Sequence, residues 1–204
     1  MIWVLTACAG KSLVVFHVFK PTTAQIDKFL DSLRSDGFSY PDVGATRESA
    51  RPDGYDIDHN RQFLGKGHET FERAKQAVCR WKMFDVPGLK LIRDDTPIEA
   101  GRNVALLASH LGFYSLSSCR IVYLINESDR FGFAYGTLTQ HAESGEERFT
   151  VEYDGGTGEV WYDIYAFSRP GHWMVRLGYP YARYRQKQFA VGSKTAMFRA
   201  VDRD

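Results

Sequence analysis

Cysteine is scarce in this chain. Its three residues, Cys8, Cys79 and Cys119, are odd in number, far apart and never in a Cys-x-x-Cys pair. That pattern speaks against a disulfide framework and supplies no zinc cluster. It fits a reducing compartment, so a cytoplasmic setting is expected. Long hydrophobic runs are missing too: no stretch approaches the roughly 20 apolar residues of a membrane-spanning helix. Neither charge sign dominates, because 26 Lys and Arg stand against 25 Asp and Glu for a formal net charge of +1. Nucleic acid and anionic membranes select a strongly basic balance, so neither is the expected partner. Catalytic signatures are also lacking. His59 and His68 bracket Gly65-Lys66-Gly67 without a third ligand, and Ser168 sits in Phe-Ser-Arg-Pro rather than a Gly-x-Ser-x-Gly elbow. No metal, no cofactor and no serine hydrolase chemistry is expected from those spacings.

What the chain has in excess is aromatic side chains, 14% of residues, in a composition that is 44% hydrophobic. At 204 residues it can build one domain with a large core, or a core plus a pocket. Two features near the start are decoys. Leu5-Thr6-Ala7-Cys8 has the pattern of a lipoprotein cleavage site but lacks the basic start and full apolar core. Gly10-Lys11-Ser12 imitates the end of a phosphate-binding loop. Leu5, however, stands where its first glycine belongs, and 13–19 reads as a strand instead of an anion-holding helix.

Pro21-Thr22-Thr23 ends that strand and caps a helix whose Ile26, Phe29, Leu30 and Leu33 share one face until Asp36-Gly37. Residues 38–54 form a long irregular connection, of a kind that often serves a function. Residues 55–64 read as extended, and 68–83 as a second helix with Phe71, Ala74, Val78 and Trp81 inward. Strands are predicted over 89–93, 103–109, 118–125, 131–139, 147–153 and 160–167, joined by short connections that favour antiparallel pairing. Tyr179-Pro180 opens a last helix over 180–201. Its inward stripe is read as Tyr181, Tyr184, Gln188 or Phe189, Gly192, Ala196 and Ala200, with Arg183, Lys187 and Lys194 on a solvated basic face.

Two strands argue for a cavity. Phe131, Phe133, Tyr135 and Thr137 share one face while Gly132, Ala134 and Gly136 share the other, and a bare sheet face must receive another element or leave space. In 160–167 both faces are apolar except for Asp163, whose carboxylate needs a hydrogen-bonding or charged partner.

Several segments resemble the DUF1990 (UPF0548) family. They are Gly54-Tyr55-Asp56-Ile57-Asp58-His59-Asn60-Arg61, Cys119-Arg120-Ile121-Val122-Tyr123, Arg130-Phe131-Gly132-Phe133-Ala134-Tyr135-Gly136-Thr137-Leu138, Gly145-Glu146-Glu147-Arg148-Phe149, Val160-Trp161-Tyr162-Asp163-Ile164, Phe167-Ser168-Arg169-Pro170 and Leu177-Gly178-Tyr179-Pro180-Tyr181. The resemblance covers about 14–201, leaving 1–13 as an N-terminal extension and 14–204 as one domain. The family brings no assigned catalytic residues. The element order is similar to the helix-grip architecture of START and Bet v 1 proteins. It implies an α+β fold in which a curved antiparallel sheet wraps a long C-terminal helix, with two further helices near the N-terminus. Such a sheet and helix leave an apolar chamber between them.

Three readings follow. The first is a binding protein for a hydrophobic or amphipathic small molecule, with His59, Arg61, Arg120, Tyr123, Tyr135, Trp161, Asp163 and Tyr181 as ligand-binding candidates. The second is an enzyme using the same chamber, with His59 or His141 as general base and an arginine stabilising negative charge. The third is an interaction module or membrane pore, the latter suggested for plant relatives. Strands shorter than the roughly 9 to 11 residues a barrel needs, with Glu147, Arg148 and Glu152 charging both faces, argue against a pore. Structural ion pairs are expected between Arg120 and Asp163 or between Arg148 and Glu152.

Overall fold

The computed structural model describes residues 15–92, 96–110, 112–171 and 179–202, with side chains from His17 onward. The expectations for 1–13, including Cys8 and the two decoy motifs, lie outside the described residues.

Eight strands form one antiparallel sheet: β1 Val15–His17, β2 Asp56–Lys66, β3 Leu89–Ile92, β4 Asn103–Ser109, β5 Tyr114–Asn126, β6 Arg130–Thr137, β7 Glu143–Tyr153 and β8 Glu159–Pro170. Their order is β2-β8-β7-β6-β5-β4-β3, with β1 paired to the start of β5. Neighbours from β3 to β8 are sequence neighbours, as their short connections require. Besides β1, β2 is a long-range addition, which crosses to β8 and pairs Asp58 with Ala166 and His59 with Tyr165. Among the described residues three α-helices accompany the sheet: α1 Thr23–Ser32, α2 His68–Cys79 and α3 Tyr179–Asp202.

Local chemistry explains the helix ends. The Thr22 side chain accepts from the Gln25 amide while the Gln25 side chain accepts from the Thr22 amide, a reciprocal capping box that fixes the start of α1. Phe71, Ala74, Val78 and Trp81 are buried as their spacing predicts. The second helix nevertheless stops at Cys79, short of the predicted 83, because Trp81 turns into a left-handed conformation (φ 56°). A single 3-10 turn, Lys82–Phe84, follows and carries Phe84 under the sheet.

The inner face of the sheet holds Phe133 and Tyr135 of β6, Phe149 of β7, and Tyr162 and Ile164 of β8, packed with α2, Met197 and Val201. This corrects the expectation that the bare face of β6 opens the cavity: Gly132, Ala134 and Gly136 lie on the outer face. That face receives Tyr40, whose hydroxyl would sit 1.9 Å from a Cβ at Gly136. α1 covers the rest of the outer face, burying Phe29 and Leu33 against Ala105, Leu107, Leu116 and Leu138.

The stripe on α3 is also displaced. Ser193, Met197 and Val201 are the buried positions, with Phe189 and Ala200 partly buried beside them, whereas Tyr181 and Tyr184 are exposed. The helix is weakly amphipathic, so periodicity alone does not select its inward face.

Strand lengths correct a further step. β2, β5, β7 and β8 have 11, 13, 11 and 12 residues, so shortness does not argue against a pore. Here the inner face packs on α3 and the outer face on α1 and the 38–55 segment. No helix among the described residues is long and apolar enough to cross a membrane.

Candidate functional site

The inner face changes character along each strand. β6 runs from Phe133 through Tyr135 to Thr137, β7 from Phe149 through Glu147 to Gly145, and β8 from Ile164 through Ala166 to Ser168. Register aligns these into rows: Phe133, Phe149 and Ile164 in one, then Tyr135, Glu147, Ala166 and Asp58 in the next. One end of the interior is therefore packed with large apolar groups and the other is lined by small or polar ones. α3 bridges both, so a cavity of about 960 Å³ remains between its first half and the small-residue end of the sheet. Gly145 is obligatory in that wall, because a Cβ there would stand 2.0 Å from the Phe167 carbonyl oxygen.

Apolar walls come from Leu89, Leu106, Ile164 and the rings of Phe84 and Phe189. Phe84, Tyr135, Phe149 and Phe189 form one ring cluster with centroid separations of 5.3 to 6.2 Å. Polar groups share the lining, and several are specifically held. The Tyr135 hydroxyl donates to Glu147 Oε2 at 2.9 Å, and the Gln186 amide donates to Glu143 Oε2 at 2.7 Å. Arg183 grips Asp58 with two hydrogen bonds of 2.5 and 2.8 Å. Arg183 is thus an ion-pair partner across the chamber edge, where the sequence reading has a solvated basic face.

Burial pushes the Glu147 carboxyl up to about 8. The Tyr135 hydrogen bond opposes that rise, and the charges of Glu143 and Asp58 add to it. Burial likewise pushes Glu143 up to about 6, against the Gln186 hydrogen bond and the Arg183 charge. The chamber thus holds a carboxyl whose neutral form its burial favours.

Of the residues predicted from sequence, Tyr135, His141 and Tyr181 line the chamber. Tyr181 stands at the rim, with its hydroxyl 3.0 Å from His110 Nδ1. Burial holds the His141 imidazole down to about 4, and its Nδ1 accepts the Glu143 amide at 3.0 Å. A ring so held is a poor proton acceptor near neutrality. His59 belongs to the strand segment beside the chamber, but its Nε2 lies 2.6 Å from Asp163 Oδ2 on the outer face.

Arg61, Arg120, Tyr123, Trp161 and Asp163 are also outer-face residues, which corrects their assignment to the chamber. Arg61 bridges Glu152 at 2.8 Å and Asp163 at 3.4 Å, stacked over Trp161. Arg120 donates to Asn103 Oδ1 at 2.7 Å and the Leu33 carbonyl at 3.0 Å, tying down the end of α1. Tyr123 is displaced by a bulge between Ile121 and Tyr123, which puts it opposite Ala134 instead of on the face of Ile121. Its hydroxyl meets Thr46 at 2.7 Å.

The expected ion pairs are re-partnered: buried Arg148 meets Asp163 at 3.0 Å, and Glu152 meets Arg61 and Arg130. Arg148 also donates to the Thr46 carbonyl at 2.7 Å. Buried Glu146 accepts from Tyr40 at 2.7 Å, from the Gly44 and Thr46 amides at 2.7 and 3.0 Å, and from the Thr46 hydroxyl. These two charges anchor the long 38–55 connection, giving it a covering role. Among the described residues no cluster of His, Cys, Asp and Glu could hold a metal ion.

Glu143 and Gln186 are chamber residues that sequence reasoning missed. The available signal was Glu143, Gly145 and Glu147 at alternate positions of one strand, but it means something only once that face is known to be inside.

A sheet curled about a C-terminal helix with a chamber between them is the helix-grip arrangement. The chain belongs to the DUF1990 family, a domain of unknown function, whose model matches residues 39–196. It is 36% identical over 207 residues to a UPF0548 protein of Dictyostelium discoideum, covering 92% of this chain and 96% of that one. A UPF0548 protein of Deinococcus radiodurans is 36% identical over 197 residues, covering 92% and 99%. Among solved structures, the crystal structure of Ara h 8.0201 is similar with a TM-score of 0.48 and 13% identity, over 72% of this chain and 98% of that chain.

Proposed function

We propose that this protein binds a hydrophobic or amphipathic small molecule in the chamber between the sheet and α3. The observation that carries the reading is the cavity of about 960 Å³, at the upper end of the roughly 300–1,000 Å³ typical of small-molecule sites. Its wall surface is mainly apolar, and several of its polar groups are already oriented by hydrogen bonds, the usual division of labour between affinity and orientation. Tyr135 and Tyr181 remain binding candidates, and Glu147, Glu143 and Gln186 join them. The reading includes a cytoplasmic setting, in keeping with unbridged Cys79 and Cys119.

The second reading, an enzyme with a histidine base, is disfavoured by the neutral, backbone-bound His141 and the outward-facing His59. The test is saturable binding of the neutral fluorophore N-phenyl-1-naphthylamine. Ala166→Phe fills the chamber from its wall, so probe affinity is expected to fall about tenfold or more while the thermal midpoint holds. Binding that never saturates, or that ignores Ala166→Phe, refutes the proposal.

A further inference from the structure

We propose that the guest carries a protonated amine, which docks on Glu147 beside the Phe84, Tyr135 and Phe189 rings. This rests on the small-molecule reading of the same chamber and names the chemistry of its ligand. Four observations lead to it.

First, the inner face presents three carboxyls, Asp58, Glu143 and Glu147, with Ala166 between Asp58 and Glu147 in one row and Gly145 between Glu143 and Glu147 along the strand. The small residues leave the space beside Glu147 open. Second, charge is unbalanced there. Arg183 is committed to Asp58, whereas the polar contacts of Glu147 and Glu143 among the described residues are a neutral phenol and a neutral amide. A buried carboxylate is stable only with a compensating cation, and otherwise takes up a proton, as the raised titration of Glu147 indicates. Third, the aromatic cluster adjoins this carboxyl through Tyr135, and ring faces attract an ammonium group electrostatically. Fourth, Arg185 and Lys187 also border the cavity, on the first half of α3, where no ion pair links them to Glu147 or Glu143. An amine-bearing guest supplies the missing cation and inserts its apolar body between sheet and helix. A neutral alcohol would leave Glu147 protonated, and a carboxylic acid would add a like charge.

The experiment is a three-ligand series on one carbon skeleton: decylamine, 1-decanol and decanoate, titrated calorimetrically at pH 7 into the wild type and Glu147→Gln. The wild type is expected to prefer the amine to the alcohol by about thirtyfold, the effect of one desolvated charge pair. In Glu147→Gln that preference should vanish. An alcohol or acid that binds as tightly as the amine overturns the amine assignment and leaves the chamber reading standing. So does an amine preference that survives in Glu147→Gln. If none of the three binds, and N-phenyl-1-naphthylamine does not either, the chamber reading itself fails. A cooperative urea-unfolding transition and an unchanged far-UV circular dichroism spectrum certify that Glu147→Gln is folded.

Discussion

Replacing Glu147 by glutamine should change the pH dependence of stability in a calculable direction. In the unfolded chain a glutamate titrates near 4.5, and in the folded protein burial pushes Glu147 to about 8. Between those values the native state binds the extra proton, so unfolding free energy falls as pH rises. The contribution is complete below about pH 4.5 and is lost progressively as pH passes through about 8. At about 1.4 kcal/mol per pH unit, the full shift sets a ceiling on the order of 5 kcal/mol. Glu147 lines the cavity and is only partly buried, which reduces the penalty, to roughly 2 kcal/mol. Glutamine is isosteric, still accepts from Tyr135 and cannot ionise. The assay is urea denaturation of both proteins at half-unit steps from pH 5 to pH 8.5. Glu147→Gln should gain roughly 2 kcal/mol on the wild type across that range, equivalent to about 4–8 °C in thermal midpoint for a chain of this size. Parallel stability curves would show that the carboxyl is not held neutral by its surroundings.

Arg148→Met should destabilise the protein by about 3 kcal/mol, since it leaves the buried Asp163 short of a partner and releases the Thr46 carbonyl. Much of the loss should return in Arg148→Met with Asp163→Leu, and a loss under about 1 kcal/mol in chemical denaturation would contradict the anchoring role. His141, held down to about 4 by burial, should show no NMR titration of its ring protons between pH 8 and pH 5. Because an unfolded histidine titrates near 6.5, its contribution to stability is present above that value and is lost as pH falls toward about 4. A resolved midpoint near 6.5 in the folded protein would place the ring in solvent instead.

Much of the secondary structure was legible in the chain. The Thr22–Gln25 cap, the spacing of Phe71, Ala74 and Val78, and the alternation in 131–137 each express a local preference that tertiary packing leaves in place. The site was less legible because strand alternation separates two faces without saying which one is interior. Bulky Phe131, Phe133 and Tyr135 were compatible with either assignment. A one-residue bulge after Ile121 was enough to move Tyr123 and Ile125 to the opposite face from the one their spacing implies.

Ion-pair partners were out of reach for a related reason. Asp163 meets His59 and Arg61 because β2 crosses more than a hundred residues of sequence to lie against β8, and it meets Arg148 across the β7–β8 pair. Local spacing, by itself, determined the type and approximate place of most strands and helices and which residues alternate, since those depend on backbone sterics and near neighbours. Only the tertiary structure decided which alternating set faces α3, which charges share a row and how much space is left above Ala166 and Gly145. Those depend on register and on the element laid across the sheet, neither of which a single strand can encode.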